Sequence, residues 1–427
     1  MKNIRDKNPR NLTDTVKQKV IYNKTVLDNG LRIITEEVPT AETFAIGINI
    51  NAGSRNDFTG MEGMAHFLEH SVFLRTKKRS SKQISVGFES LGAYANAYTT
   101  KEHTCFYVRA LKNHFAKSFE ILADVVLNPK LIDKEFEKEK FVILEEIKSY
   151  EDDPEELIFD YIEKLLFEGN SLAHPIAGYQ DSVSVIKPED IYRFHINNYI
   201  PAKIVITAAG AVGHEKVVAE ALKYFTAPFP AITTVAGSLF SGGSIGHYEG
   251  DKPFTQCHIT LGRIVPGMKS AERYPLALLN VILGDGMSSR LYHQLRERYG
   301  FAYAAYSSLQ LMSDIGSIYV YSTAERKNIK KVKRVINEEF SKLADGKIAE
   351  TEIKRAREQL KSSTIMALES MNTRMSNLAK SELTIGVYED IDSTIEAVES
   401  VTLADLKDTA ARYLDYNEWS SVVFFDE

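Results

Sequence analysis

Two stretches, KPEDIYRFHINNYI at residues 187–200 and TLADLKDTAARYLD at residues 402–415, share one pattern at an offset of about 215 residues. The first carries a helix start, with Pro188 in its first turn and acids beside it. A strand follows each: KIVITAAGAV at 203–212 and WSSVVFFDE at 419–427. Repetition at this scale is the sequence mark of a duplicated unit.

The likeness extends upstream. In the first half, VIYNKTVLDNGLRIITEEV (20–38) alternates apolar residues about the turn Asp28-Asn29-Gly30, a hairpin signal. TFAIGINI (43–50) reads as a buried strand, 63–73 as a helix, and a second helical stretch begins near Ser81. ANAYTTKEHTCFYVRAL (95–111) reads as the next strand, and 112–127 and 132–168 as two long helical segments. Asp152-Asp153-Pro154 marks a helix break.

In the second half, HYEGDKPFTQCHITLGRIV (247–265) supplies strands and YPLALLNVIL (274–283) a helix at the place of 63–73. LQLMSDIGSIYVYSTA (309–324) answers the strand region at 94–110, and 327–345 and 349–380 give two long helices. The segment 226–246, TAPFPAITTVAGSLFSGGSIG, is nearly uncharged and rich in Pro, Gly, Ser and Thr, and reads as a linker. The expectation is an α+β protein of two duplicated domains, 1–228 and 247–427, joined by a linker at 229–246. Each domain is expected to pack helices on a mostly antiparallel sheet.

The 427 residues, 44% hydrophobic and 26% charged, suit two full cores. A net charge of -6 gives no case for a nucleic-acid or anionic-membrane partner. Two distant cysteines, Cys105 and Cys257, exclude a disulfide scaffold. The first residues lack the apolar core of a secretory signal, and no run of 18 apolar residues occurs, so the expected location is the cytoplasm.

Chemistry concentrates in GMAHFLEHSVFL (63–74). His66 and His70 are four apart, so one helical face can aim two imidazoles at one ion. Zinc accepts imidazole readily and, in catalytic sites, leaves a position for water. Glu69 flanks that face and can act as general base on a metal-activated water. Downstream, Phe136, Glu139, Ile143, Glu146 and Tyr150 fall on one face of the helix FEKEKFVILEEIKSY (136–150). Carboxylates in an apolar stripe require a cation or strong donors. Glu146 is the expected third ligand, Glu145 the second choice, and Glu139 the residue that orients a histidine. At an offset of 215 the two histidines map to Val281 and Asp285, so only the first half is expected to hold metal.

With these residues in place the chain resembles the pitrilysin family of zinc peptidases, the inverzincins, which includes insulin-degrading enzyme and the mitochondrial processing peptidases. The resemblance rests on His66-x-x-Glu69-His70, Glu146, ANAYTTKEHTCFY and GMSSRLYHQLRERYGFAY (286–303), and runs over nearly the whole chain. It is similar to the smaller bacterial members, whose paired chains form a clamshell around a substrate chamber. The resemblance implies a zinc endopeptidase, one Zn2+ per chain, acting on peptides or short unfolded polypeptides. It implies that Asn96 and Ala97 lie on a strand whose edge pairs with substrate backbone. It further implies that Arg296 and Tyr303 help hold the substrate and the developing oxyanion, reaching the site in trans within a homodimer. The same fold also serves as a non-catalytic scaffold or as the catalytic half of a heterodimer. SVFLRTKKRS after His70 departs from the family, and ILGDGMSSRLY has fewer glycines than the glycine-rich loop of the processing peptidase's non-catalytic subunit, so recognition of mitochondrial presequences is not implied.

Overall fold

The computed structural model describes residues 20–226 and 243–426. The first half runs β1 (Ile21–Val26), β2 (Arg32–Glu37), β3 (Thr43–Ile50), α1 (Met64–Val72), α2 (Ser81–Glu89), β4 (Tyr94–Thr99), β5 (Thr104–Leu111), α3 (Phe115–Leu127) and α4 (Asp133–Asp152). It continues with α5 (Pro154–Leu166), α6 (Gln180–Val185), α7 (Pro188–Asn198), β6 (Ile204–Gly210) and α8 (His214–Tyr224). The second half runs β7 (His247–Lys252), β8 (Cys257–Pro266), α9 (Arg273–Leu283), β9 (Ala305–Leu311) and β10 (Ile315–Ala324). After these come α10 (Ile329–Ala344), α11 (Glu350–Ala367), α12 (Met371–Thr384), α13 (Ile391–Ser400), α14 (Leu403–Tyr413) and β11 (Ser420–Asp426).

The two sheets share one topology over five strands, and the first carries β1 as an additional edge strand. The first is ordered β1-β2-β6-β3-β5-β4 and the second β7-β11-β8-β10-β9. In each, a single parallel pair (β2 with β6, β7 with β11) sits beside antiparallel ladders. The paired helices α7 and α14 lie 215 residues apart, as their sequences require. Of the expected linker, 229–242 lie outside the described residues, and 243–246 carry no regular structure.

Three expectations change. The stretch 95–111 is a hairpin, not one strand: β4 and β5 pair antiparallel about a turn at 100–103. There Thr100 Oγ1 accepts from the backbone N–H groups of Glu102 and His103 (3.3 and 3.0 Å) and so supplies the turn chemistry. The break expected at Asp152-Asp153-Pro154 is present and divides 132–168 into two helices. Asp153 accepts from the N–H groups of Glu155 and Glu156, and Pro154 opens α5. Likewise 349–380 divides into α11 and α12, with Ser370 capping the second. The offset of 215 also fails at the metal helix, because α9 starts only 209 residues after α1 and Asp285 falls beyond its end. Helix α9 contains no imidazole or carboxylate.

These helix breaks let the halves interleave. Helix α5 packs on β8 and β11 of the second sheet, and α12 packs on β6 and β3 of the first. Ile158, Ile162 and Leu166 of α5 join the buried cluster of Tyr319, Tyr321 and Phe424. Met375 of α12 is buried against Ala45 and Ala209. Among the described residues, no helix is long and apolar enough to cross a membrane.

Candidate metal centre

Helix α1 is set by its N-terminus. Gly63 has φ +99°, and a Cβ there would stand 2.5 Å from the carbonyl oxygen of Ala177. The Asp57 carboxylate accepts from the N–H groups of Gly63 (2.7 Å) and Ala65 (2.9 Å), pairing donors that a helix start leaves free. Burial pushes this carboxyl up to about 8, against the backbone donors that lower it. Phe67, on the buried side of α1, stacks on Phe136 of α4 at 4.4 Å between ring centres. Such a pair contributes roughly 0.5–1.5 kcal/mol beyond its buried area. It also fixes α4 against α1, and with it the distance between the metal-facing side chains.

On that frame His66, His70 and Glu146 converge, with one potential ligand atom from each lying within 4.8 Å of the others. Nε2 of His66 is 3.9 Å from Glu146 Oε1, and Nε2 of His70 is 3.6 Å from Glu146 Oε2. Atoms sharing a tetrahedral zinc at about 2.0–2.2 Å stand slightly closer than this, so the trio fits the ion with small adjustments. It is the one such cluster among the described residues. Burial and, after it, the neighbouring His70 lower His66 to about 4 against the raising effect of Glu146, so its ring is neutral, the form that ligates. Its Nδ1 is buried with no partner among the described residues. Burial acts to lower His70 as well, but the hydrogen bond with Glu139 and the surrounding carboxylates raise it overall.

The expected residues fall into two groups. Glu139 Oε1 lies 2.9 Å from His70 Nδ1, and Glu69 stands beside the trio on the wall of a cleft of about 750 Å3. Glu145 turns away and pairs with Lys148. Asn96 and Ala97 lie on β4, the edge strand of the first sheet, and the Ala97 N–H donates to the Asn96 side chain at 2.9 Å. Arg296 and Tyr303 meet each other: the guanidinium stands 5.0 Å from the Tyr303 ring centre, and Tyr303 is 77% exposed. Neither lines the metal cleft of its own chain.

Two contacts were not foreseen. Thr99 of β4 donates to Glu69 Oε2 at 2.5 Å, and Tyr150 donates to Glu146 Oε1 at 2.5 Å. Period-two alternation could have found Thr99, which shares with Ala95 and Ala97 the β4 face that packs on the core. Burial raises Glu69 while the Thr99 hydroxyl lowers it, with a net upward shift. Across the cleft, Glu156 and Asp160 of α5 present carboxyl groups, and Glu163 is paired with Lys101 at 2.8 Å. Ser308, Leu309 and Gln310 of β9 complete the opposite side, so edge strands of both sheets border one cleft.

Residues 32–180 match the model of the insulinase peptidases, family M16, and residues 186–360 match that family's inactive-domain model. The chain is 33% identical over 404 residues to an uncharacterized zinc protease of Mycobacterium leprae, covering 94% of this chain and 91% of the relative. It is 32% identical over 375 residues to the uncharacterized zinc protease YmxG of Bacillus subtilis, covering 88% and 91%. A protease from Helicobacter pylori superposes with a TM-score of 0.86 at 20% identity, over 95% of this chain and 99% of that one. An M16 inactive-domain protein of Pseudomonas fluorescens superposes at 0.89 and 18% identity, over 95% and 98%. With both halves matched by its models and zinc proteases aligned over nearly the full length, the chain belongs to the M16 insulinase family of peptidases.

Proposed function

We propose that the chain is a zinc endopeptidase that hydrolyses peptides and short unfolded polypeptides, with His66, His70 and Glu146 as ligands and Glu69 as base. The observation that carries this reading is the convergence of those three side chains beside Glu69 on the wall of one open cleft. A bound zinc supplies a Lewis acid that acidifies water and polarises the scissile carbonyl. The chain's own groups do the rest. Thr99 holds Glu69 by Oε2, which leaves Oε1 free to take the proton of the attacking water. Glu69 then returns that proton to the leaving amine nitrogen. Glu139 engages His70 at Nδ1 and keeps the Nε2 lone pair directed at the ion.

Substrate adds a strand to the free edge of β4, exchanging the Ala97–Asn96 bond for a main-chain one. The carboxyl wall of Glu156 and Asp160 suits basic side chains. Digestion of a peptide library with and without a chelator, read by mass spectrometry, tests the activity. Chelator-sensitive fragments are expected, and fragments that survive chelation rule the reading out.

Tyr150 acts on the metal through Glu146. Tyr150→Phe removes one hydrogen bond from a ligand carboxylate and is expected to weaken zinc binding about tenfold, at the lower end for outer ligand partners. Competition with a chromophoric chelator measures this. An unchanged affinity means that the phenol does not tune the ligand.

Arg296 and Tyr303 complete the site of a partner copy in a homodimeric clamshell that encloses the substrate. Their own chain leaves them outside its cleft, paired and ready to donate to an oxyanion. Mixing Glu69→Gln chains with Arg296→Ala chains is expected to restore activity, because mixed dimers contain one intact composite site. Two inactive parents that stay inactive on mixing argue for a site built within one chain.

A further inference from the structure

Behind the metal helix lies a second cavity, of about 680 Å3, that shares no lining residue with the metal cleft. The loop before α1 forms its floor, the C-terminal end of α5 with residues 168–174 its wall, and Tyr248 of β7 closes it. This volume suits a small organic ligand. Two features distinguish the cavity from a packing gap. Ser54 is only 3% exposed, and its hydroxyl has no hydrogen-bond partner among the described residues, where buried hydroxyls are normally paired. Lys164 forms no ion pair among the described residues, although Glu62 and Glu168 line the same space.

The remaining lining groups fix the ligand's chemistry. Tyr161 and Tyr248 stand 5.0 Å apart between ring centres and offer apolar faces. Glu168 follows the last turn of α5, whose carbonyl end carries partial negative charge and favours a cation. Asp57 is already engaged by the α1 N–H groups, and His174 lies 3.2 Å from the Tyr179 hydroxyl. Charged groups of both signs thus line one cavity with a pair of aromatic rings.

We infer that this cavity binds a short zwitterionic peptide or a free amino acid. The α-carboxylate meets Lys164, the ammonium lies between Glu168 and Glu62, and an apolar side chain packs on Tyr161 and Tyr248. A ligand with only a cation leaves Lys164 unpaired, and one with only an anion faces two carboxylates. Peptide hydrolysis releases zwitterions of this class, so a reaction product is the occupant. That assignment alone rests on the peptidase reading. The ligand also lies against Asp57, the residue that caps the metal helix.

Calorimetric titration of the full-length Glu69→Gln chain with the dipeptide Ala-Phe tests this without turnover. Saturable binding is expected, with N-acetyl-Ala-Phe-amide binding at least about fivefold more weakly. Lys164→Met and Glu168→Gln, both at exposed positions, are each expected to weaken Ala-Phe about fivefold, and Glu156→Gln in the metal cleft to leave it unchanged. Equal binding of the blocked dipeptide, absence of binding, or a loss that tracks Glu156→Gln overturns the inference. No bond is cut in this titration, so its failure is separate from a failure of chelator-sensitive digestion.

Discussion

Replacing Glu69 by Gln is expected to abolish peptide hydrolysis and to leave zinc bound. The expected fall in kcat is about 10²–10⁴-fold, the range a positioned general base contributes. The structure separates the two effects. Glu69 is not among the clustered ligand atoms, and Gln preserves the side chain's volume and can still accept from Thr99 through its carbonyl oxygen. What the amide lacks is basicity. Burial raises the Glu69 carboxyl above its ordinary value and brings it nearer the range in which a base works at neutral pH. The measurement pairs metal analysis of the purified variant with initial rates on one fluorogenic peptide. Wild-type rates from Glu69→Gln would falsify the assignment of the base, and loss of zinc together with activity would make Glu69 a ligand instead.

Glu146→Gln is expected to lose the metal, and Glu145→Gln to keep it. The two carboxylates are adjacent in sequence, but α4 turns one toward His66 and His70 and the other toward Lys148. Protein zinc sites hold about 10–16 kcal/mol over four ligands, so a lost carboxylate costs roughly 3 kcal/mol. That is about two orders of magnitude in affinity. Glu145→Gln removes only an exposed i,i+3 pair, worth roughly 0.5 kcal/mol or less. Chelator competition on both variants decides the matter. Metal loss from the Glu145 variant alone would reverse the ligand choice.

Much of the site was legible because helical periodicity is local. The four-residue spacing of His66 and His70, and the stripe from Phe136 to Tyr150, needed only 3.6 residues per turn to predict a shared face. The distance between those helices was not readable. It depends on Phe67 stacking against Phe136, a contact across 69 positions. Thr99 reaches Glu69 only because β4 lies beside α1. The hairpin at 95–111 is not legible in the sequence for a related reason. TTKEH holds no glycine or proline, and its turn is made by the Thr100 side chain.

The duplication was likewise legible, because each half repeats its own order of patterns. The exchange of α5 and α12 between sheets was not. An amphipathic helix states that it has a buried face but does not name the surface that buries it. Here the caps at Asp153 and Ser370 free each helix from the one before it, and each packs on the opposite sheet.

By itself the sequence determined the elements, their repetition and the face on which each ligand side chain lies, since these follow from backbone periods and capping chemistry between near neighbours. Tertiary structure alone decided which faces meet. It brought Glu146 to His66 and His70 and Thr99 to Glu69, left Arg296 and Tyr303 outside the cleft of their own chain, and opened a charged cavity beside the loop that precedes the metal helix. Packing between remote segments depends on the shape and burial of whole surfaces, and no local window of residues contains that information.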